Sequence, residues 1–380
     1  VRVVKAYVRE DYEISKFQKA CNKVYEMFLS AEKIVVMNMP LMQFTVYACI
    51  LGISWLGAKM IVGSSLSTGE LMSLLTYCMN ILMSLMMLSM VFVMITMSLA
   101  SARRISEVLN EKSDLDNPEN PDFSIPDGSI TFDHVYFNYK KGAGEPVLSD
   151  INLSIQSGET IGIIGGTGSA KTSLVNLISR LYDVTDGSVK VGGKDVRSYD
   201  METLRNEVAV VLQKNVLFSG TILDNLRWGD KNASEEECKR VCRLACADEF
   251  IDRMPEGYNT YIEQGGSNVS GGQKQRLCIA RALLKKPKVL ILDDSTSAVD
   301  TATDAKIRKA FLTEIPETTK LIIAQRISSV QDADRIIVME NGKVNGFGSH
   351  EELLKTNEIY REVYESQTGG GGDFDEKRGE

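Results

Sequence analysis

Two long stretches of the chain carry no charged side chain, and they give the first structural prediction. They run from Ile34 to Ala58 and from Leu71 to Ala102. As a helix rising 1.5 Å per residue, the first would be about 37 Å long, enough to cross a hydrocarbon layer about 30 Å thick. A short link rich in Gly, Ser and Thr separates them, so the pattern predicts a hairpin of two membrane helices, at about 34–62 and 70–100. A buried helix pair in a soluble protein is the alternative, but uncharged runs this long exceed those of globular helices.

Basic residues cluster at the two outer ends of this hairpin: Lys16, Lys19, Lys23 and Lys33 before it, and Arg103 and Arg104 after it. Lys and Arg are enriched on the cytoplasmic side of membrane helices. We therefore expect both ends to face the cytoplasm. Residues 1–33, which carry charges at helical spacing, read as a solvated helix, and residues 1–110 as an all-α membrane region of a multi-pass protein.

After residue 110 the pattern changes to that of a mixed globular domain. Residues 111–127 are acidic, contain proline and lack periodicity, which predicts a linker. Short apolar runs typical of buried parallel strands follow, with helical stretches between them, and predict an α/β domain over residues 128–367. The proposed strands lie in Ser129–Tyr139, Thr160–Ile164, Val289–Leu292, Lys320–Ala324 and Ile336–Met339. Asn341-Gly342 predicts a hairpin turn, and the Gly-rich, charged tail at 368–380 is expected to be disordered.

Charge and cysteine usage exclude several classes of function. The 380 residues carry a net charge of −8, so a partner with a phosphate backbone, such as nucleic acid, is not expected. Seven cysteines lack the paired spacing of metal sites, and Cys238, Cys242 and Cys246 recur as one packed helix face of reduced thiols. No cleavable secretory leader is visible at Val1, and the sequence reads as a fragment.

A glycine-rich segment, Gly165 to Thr172, joins a predicted strand to an amphipathic helix beginning near Ser173. This is the context of a phosphate loop, in which backbone N–H groups cradle the phosphates of ATP, the lysine reaches the terminal phosphates and the threonine contacts Mg²⁺. The candidate nucleotide-binding residues are Gly165, Gly166, Thr167, Gly168, Ser169, Ala170, Lys171, Thr172 and Ser173. Ala170 replaces the usual glycine before the lysine. We expect a negative φ there, at little cost, and retained nucleotide binding.

Asp293 follows four apolar residues at the end of a predicted parallel strand, where such sheets place their ligands. We predict that it holds Mg²⁺ through water, together with Thr172. A helix or turn cap is the alternative role.

Residues Asn268 to Arg276, NVSGGQKQR, resemble the signature of ATP-binding cassette (ABC) ATPases. With the phosphate loop and the acidic strand end, the resemblance covers the chain from about Ser129 to Gln367 and implies an ABC ATPase domain of the P-loop NTPase class. Residues 1–110 are similar to the last two membrane helices of an ABC exporter half. A complete half would carry six helices, which supports truncation.

The resemblance also implies roles for single residues. Tyr139 would stack on adenine, with a role as a core tyrosine as the alternative. Gln213 would contact Mg²⁺ and link the nucleotide to the membrane helices, with a surface glutamine as the alternative. Asp300 would belong to a loop that crosses the dimer interface, unless it only caps a helix.

In this family two ATPase domains pack head to tail, and each ATP lies between one phosphate loop and the other domain's signature. Ser270, Gly271, Gly272 and Gln273 would therefore bind the nucleotide of a second exporter half.

Two positions depart from the family pattern at the hydrolytic end of the site. Asp294 stands where the pattern has a glutamate that polarises the attacking water, and Gln325 stands where it has a histidine that contacts the γ-phosphate. A carboxylate shortened by one methylene group is displaced by about 1 Å, which can cost ~100-fold in rate. We expect this site to bind ATP and hydrolyse it poorly, within a heterodimer whose partner has both residues. Two neutral substitutions in an active site are the alternative.

The expected function is export, across the plasma membrane, of a hydrophobic or amphipathic small molecule of the multidrug type, with the ATPase domain in the cytoplasm. Methionines at positions 79, 83, 86, 90, 94 and 97 share one face of the second span. A lipid-facing or helix-packing surface is the favoured interpretation, and contact with substrate is the sharper hypothesis. The alternatives are a non-transporting, ATP-gated regulatory subunit, a homodimeric lipid or peptide exporter, and a soluble ABC ATPase acting in DNA repair or translation.

Overall fold

The structure is a computed structural model, and it describes residues 1–140, 144–294 and 299–368. The predicted disordered tail from residue 369 onward lies outside the described residues, as do Ser297 and Ala298 of the predicted interface loop. The chain forms two compact units, which divide between Lys112 and Ser113.

The first unit is entirely helical within its described residues, as the uncharged runs predict. Its helices are α1 (Arg2–Ala6), α2 (Glu10–Val62) and α3 (Thr68–Asn110). Helix α2 continues through Pro40, and α3 begins at a capping box in which Ser67 and Glu70 exchange hydrogen bonds. Both long helices have the length and composition needed to cross a membrane.

Helices α2 and α3 pack against each other along one side. The Nδ2 of Asn38 donates a hydrogen bond to the Oγ of Ser89, 3.2 Å away. A Cβ added at Gly57 would lie 2.3 Å from the Leu71 side chain, so glycine permits this close approach. Met86 is half-buried, whereas Met79, Met83, Met90, Met94 and Met97 are exposed.

The second unit alternates strands and helices, which confirms the predicted α/β class. Its strands are β1 (Ile130–Phe137), β2 (Leu148–Ile155), β3 (Thr160–Ile164), β4 (Asp186–Val191), β5 (Lys194–Asp195), β6 (Val208–Val211), β7 (Gly220–Thr221), β8 (Tyr261–Ile262), β9 (Val289–Asp293), β10 (Thr319–Ile323), β11 (Arg335–Glu340) and β12 (Lys343–Gly348). Its helices are α4 (Lys171–Ile178), α5 (Met201–Glu207), α6 (Ile222–Leu226), α7 (Glu235–Leu244), α8 (Asp248–Ile251), α9 (Gly271–Leu284), α10 (Thr301–Glu314), α11 (His350–Thr356) and α12 (Glu358–Thr368).

The central sheet has the strand order β12-β11-β3-β10-β9-β6 in the described part of the chain. Its pairs are parallel except β11–β12, which is a hairpin. Asn341 and Gly342 join that hairpin with φ values of 48° and 72°. Two consecutive positive φ values are what a two-residue hairpin turn requires, so the prediction from Asn-Gly is confirmed.

Both faces of the central sheet are buried, which explains why its strands read as continuous apolar runs. Ile161 and Ile163 of β3 pack in the core that contains the antiparallel sheet β2-β1-β4-β5 and helix α4. On the other face, Leu290 and Leu292 of β9 pack with helices α6, α7, α9 and α10. Cys238, Cys242 and Cys246 are buried free thiols on that side, as predicted. Strands β3 and β9 are parallel to β10 between them, so their carboxyl ends open at one edge.

Candidate functional site

The phosphate loop leaves the buried strand β3 and enters helix α4, in the order that the sequence predicts. Gly165 has a φ of 153°, and a Cβ there would lie 2.3 Å from the carbonyl oxygen of Met339 in β11. Gly168 has a φ of 82° with open space around its Cα. The first glycine is therefore needed for close packing against the neighbouring strand, and the second for backbone conformation.

Ala170 is the position at which the sequence-based expectation is wrong. Its φ and ψ are 70° and 24°, the left-handed region, and it is the N-cap of α4. Glycine adopts this conformation without steric cost, whereas a residue with a Cβ does not. Alanine in that region costs about 1–2 kcal/mol, so the substitution carries more strain than we expected.

The Lys171 side chain folds back onto the phosphate loop. Its Nζ donates hydrogen bonds to the carbonyl oxygens of Gly165 and Gly166, at 2.7 and 2.8 Å, and to the Oγ of Ser169 at 3.2 Å. An ammonium beside the phosphate loop, at a helix N-terminus with its free backbone N–H groups, can bind phosphate oxygens.

Thr172 and Asp293 meet where a metal ion would lie. The Oγ1 of Thr172 donates to Oδ2 of Asp293 at 2.9 Å, and Asp293 is 3% exposed at the end of β9. Burial raises the pKa of the Asp293 carboxyl; the Thr172 hydrogen bond and the Lys171 charge offset part of that rise, whereas the Asp294 charge adds to it. A bound cation would favour the ionised form.

These two oxygen donors fit Mg²⁺. The ion usually takes one or two protein oxygens and completes its octahedral shell with phosphate and water. No cluster of three or more His, Cys, Asp and Glu side chains positioned to hold a metal ion occurs in the described ranges. When bound, Mg²⁺ would neutralise charge on the β- and γ-phosphates.

Asp294 lies next along the chain, where two amide side chains approach its carboxylate. The Nε2 atoms of Gln213 and Gln325 lie 3.4 and 3.3 Å from its Oδ2. The Asp294 backbone has a φ of 46°, and its N–H donates to Ile323 at the end of β10. The two hydrogen bonds from the Gln213 and Gln325 amides, at 3.4 and 3.3 Å, are at the long end of the accepted range, so each of these contacts is weak.

Gln367, a residue that sequence reasoning missed, fixes the backbone on which Gln325 stands. Its Oε1 accepts a hydrogen bond from the Ile327 N–H at 2.8 Å, and its Nε2 donates to the Gln325 carbonyl at 3.1 Å. Helix α12 therefore tethers the segment after β10 through one side chain. The two glutamines are 42 residues apart, and no local sequence pattern connects them.

Tyr139 lies over the start of helix α4. Its hydroxyl lies 2.9 Å from the Oγ of Ser173, and its ring makes edge contacts with Phe137 and Tyr182 at centroid distances of 4.8 and 5.0 Å. The side chain is half exposed, which leaves ring surface available for stacking. Tyr182 was not singled out from the sequence, because its role depends on a contact 43 positions away.

The signature segment forms the N-terminus of helix α9. Ser270 is the N-cap, and it exchanges capping hydrogen bonds with Gln273: Ser270 N–H to Oε1 at 2.9 Å, and Gln273 N–H to Oγ at 3.3 Å. Gly271 and Gly272 form the first turn without side chains, and Ser270 and Gly271 are exposed. A glycine-lined helix N-terminus of this kind can approach an anion closely.

Asp300 caps helix α10. Its Oδ1 accepts from the Thr303 N–H at 3.0 Å, and this hydrogen bond lowers the pKa of its carboxyl. The capping role that the sequence left open is therefore present, and a role at an interface stays a prediction.

The family described as "ABC transporter" matches residues 148–297, and the one described as "ABC transporter transmembrane region" matches residues 1–86. An uncharacterised ABC transporter ATP-binding protein of Mycobacterium tuberculosis is 40% identical over 97% of this chain, and an ATP-dependent lipid A-core flippase of Desulfotalea psychrophila is 37% identical over 96%. The chain spans 64% of the length of each.

Among solved structures, that of a bacterial Atm1-family ABC exporter with ATP bound is similar, with a TM-score of 0.89 and 27% identity. The match covers 98% of this chain and 65% of the exporter chain.

Proposed function

Because the chain belongs to the ABC transporter family and joins a transporter transmembrane region to an ABC ATPase domain, we propose that it acts as the ATP-binding and permease subunit of an exporter in the plasma membrane. ATP binding between two ATPase domains would draw them together and shift the membrane helices from an inward-facing to an outward-facing arrangement. The transported molecule would be hydrophobic or amphipathic.

One observation carries the finer proposal, which is an asymmetric pair of ATP sites. The carboxylate that would align the attacking water belongs to Asp294, and the uncharged amides of Gln213 and Gln325 donate hydrogen bonds to it. An amide donates a hydrogen bond but carries neither a proton nor a charge to the γ-phosphate. This site would therefore bind ATP without turning it over efficiently.

The partner half would supply the productive site. Its phosphate loop would face the Ser270 helix N-terminus of this chain, where the capped, glycine-lined first turn is available for a γ-phosphate. Hydrolysis there would reset both halves, whereas ATP bound at Lys171 would hold the closed arrangement for longer.

The methionine stripe on α3 supports a varied apolar cargo, because thioether side chains adapt to different shapes. Five of its six members are exposed in the described membrane unit. Met90→Ala and Met94→Ala variants should change the relative transport of different drugs at normal ATP turnover. If every drug is still transported equally, the stripe is lipid-facing or helix-packing surface.

A homodimeric lipid exporter is the second candidate. It is favoured by the similarity to a protein named a lipid A-core flippase, which is 37% identical. The same apolar stripe would then contact acyl chains, and both ATP sites of the assembly would contain Asp294 and Gln325.

Reconstitution of the whole protein in proteoliposomes, with and without a second exporter half, separates these functions. We expect the pair to hydrolyse ATP at least tenfold faster than the protein alone and to move a hydrophobic drug outward. Comparable turnover and lipid transport by the protein alone would favour the homodimer instead. ATP turnover by the pair without flux of any cargo would indicate a regulatory subunit.

A further inference from the structure

A cavity of about 190 Å³ lies between helix α10 and the central sheet. Phe311, Leu312 and Ile322 provide much of its apolar wall, and Thr160 and Lys320 provide polar groups. An apolar cavity of about 150 Å³ in another protein holds benzene. The volume here is therefore sufficient for one ring and a small polar head group.

The cavity is separate from the nucleotide site. Thr160 is the first residue of β3, and the phosphate loop begins after the last, Ile164. Four strand residues at 3.3 Å each place the two ends about 13 Å apart. A molecule in the cavity would therefore leave the phosphate loop open to ATP.

Two polar groups of the cavity have unused hydrogen-bonding capacity. Lys320 is 2% exposed, and within the described ranges its Nζ donates one hydrogen bond, to the Ile315 carbonyl at 3.2 Å. An ammonium has three donors. The buried Oγ1 of Thr160 has no hydrogen-bond partner among the residues that the structure describes, and Thr160 is 8% exposed. Buried polar groups of this kind are normally satisfied.

Strand pairing brings these two groups side by side. Lys320 and Thr160 are register partners in the parallel strands β10 and β3, so their Cα atoms lie about one strand spacing apart, roughly 4.8 Å. Both residues line the same cavity. A ligand head group with two acceptor oxygens can accept hydrogen bonds from both the Lys320 ammonium and the Thr160 hydroxyl.

The acidic side chains nearby are already engaged. Asp334 accepts a hydrogen bond from the Thr160 backbone N–H at 2.7 Å, not from its hydroxyl, and its charge offsets part of the lowering of the Lys320 pKa that burial causes. Asp304 and Asp332 pair with Arg308, with N–O distances of 3.2 and 3.5 Å. The Thr160 hydroxyl and the remaining N–H donors of Lys320 are therefore available to an acceptor from outside the chain.

We propose that this cavity binds a small monocarboxylate with an apolar body, whose two oxygens accept hydrogen bonds from the Lys320 ammonium and the Thr160 hydroxyl. The apolar part packs against Phe311, Leu312 and Ile322. The site does not depend on which cargo is transported or on how the ATP sites share hydrolysis.

Fluorine NMR of the whole protein in nanodiscs tests the site with 4-(trifluoromethyl)benzoate as the probe and its neutral amide as a matched compound. We expect saturable binding of the acid that is at least tenfold tighter than that of the amide and that persists with ATP and Mg²⁺ present. Lys320→Met should abolish the preference for the acid, whereas Lys355→Met, at an exposed position of α11, should retain it.

Leu312→Trp provides an independent test, because it fills the cavity from a side chain that is 54% exposed and leaves Lys320 in place. It should weaken binding of the acid at least tenfold while the protein stays folded by circular dichroism. Equal binding of acid and amide, no saturable binding of the acid, or unchanged binding in the Leu312→Trp protein would each overturn the proposal.

Discussion

Asp293 and Asp294 are neighbours in sequence and differ in almost every structural respect. Asp293 ends a buried strand and accepts a 2.9 Å hydrogen bond from Thr172. Asp294 has a left-handed backbone, is partly exposed, and meets the amides of Gln213 and Gln325 at 3.3–3.4 Å. The sheet holds the residue proposed to bind the metal ion, which we call the metal side of the site. The part proposed to align the attacking water, the water side, would depend on the length and charge of single side chains.

This difference explains how one ATP site can keep binding and lose turnover. The groups proposed to bind phosphate and metal are backbone N–H groups, Lys171, Thr172 and Asp293, which lie in or next to β3, α4 and β9. Positions 294 and 325 lie outside the strands and helices. Hydrolysis can therefore be lost without disturbing the fold that binds the nucleotide.

The largest expected effect comes from completing the water side. Asp294→Glu combined with Gln325→His should raise ATP turnover at this site by about 100-fold, because the carboxylate regains its reach and an ionisable group faces the γ-phosphate. Steady-state turnover of the reconstituted protein measures it. Asp133→Glu with Gln331→His, at exposed positions, is the matched control and should change nothing. If the double variant at positions 294 and 325 hydrolyses ATP no faster than the control, these residues do not limit turnover.

Removing the Lys171 ammonium should impair ATP binding and, with it, hydrolysis. Lys171→Ala deletes the ammonium over the loop and should weaken ATP binding by roughly 100-fold, equivalent to about 3 kcal/mol. Titration with a fluorescent ATP analogue gives the affinity. Lys190→Ala removes a half-buried lysine of β4 that pairs with Asp133 and should leave the affinity unchanged. Equal affinities of the two variants would contradict the assigned role of Lys171.

Asp293→Asn should have opposite effects with and without Mg²⁺. The raised pKa of Asp293 means that the folded state binds more protons than the unfolded state between the two pKa values, so this group's contribution to stability falls as pH rises. Removing its charge should raise the unfolding temperature at pH 7 without nucleotide by about 2–4 °C, if roughly 1 kcal/mol is recovered.

The same variant should lose most of the further stabilisation that ATP and Mg²⁺ give the wild type. Calorimetry of the nucleotide-free protein at pH 5 and pH 8 checks the pH dependence. The rise in unfolding temperature caused by Asp293→Asn should be smaller at pH 5. Asp133→Asn, at an exposed carboxylate, is the control. A lower unfolding temperature of Asp293→Asn without nucleotide at pH 8 would show that burial of this charge is not a cost.

The smallest expected effect is at Ala170. Ala170→Gly relieves the left-handed backbone but makes the unfolded chain more flexible, so the net stabilisation should be about 0.5–1 kcal/mol. Thermal unfolding measures it. Ala310→Gly, in the interior of helix α10, should instead destabilise by about 1 kcal/mol. If both variants destabilise equally, the strain at position 170 is absent in solution.

The sequence predicts the elements well where a local pattern decides them. Thr160–Ile164 matches β3 at both ends, because a short apolar run between turn residues has few alternatives. The Asn341-Gly342 hairpin follows from residues that tolerate positive φ. The phosphate loop and the acidic strand end likewise predict which residues meet at the sheet edge, where Thr172 contacts Asp293.

What the sequence could not supply depends on backbone geometry or on distant contacts. The φ of Ala170 follows from how the loop enters α4, and residue preferences alone suggested the opposite sign. The tether from Gln367 to Gln325 and the contact of Tyr139 with Ser173 join residues 42 and 34 positions apart. The pairing of Lys320 with Thr160 appears only once β10 lies beside β3.

The most direct test of unequal ATP sites is vanadate trapping of a photoreactive ATP analogue in the reconstituted pair, with the labelled peptides identified by mass spectrometry. Trapping requires hydrolysis, so it reports which phosphate loop belongs to the active site. We expect trapped label at the partner's phosphate loop and little at Lys171. Trapped label beside Lys171, at a level equal to or above that of the partner, would contradict it.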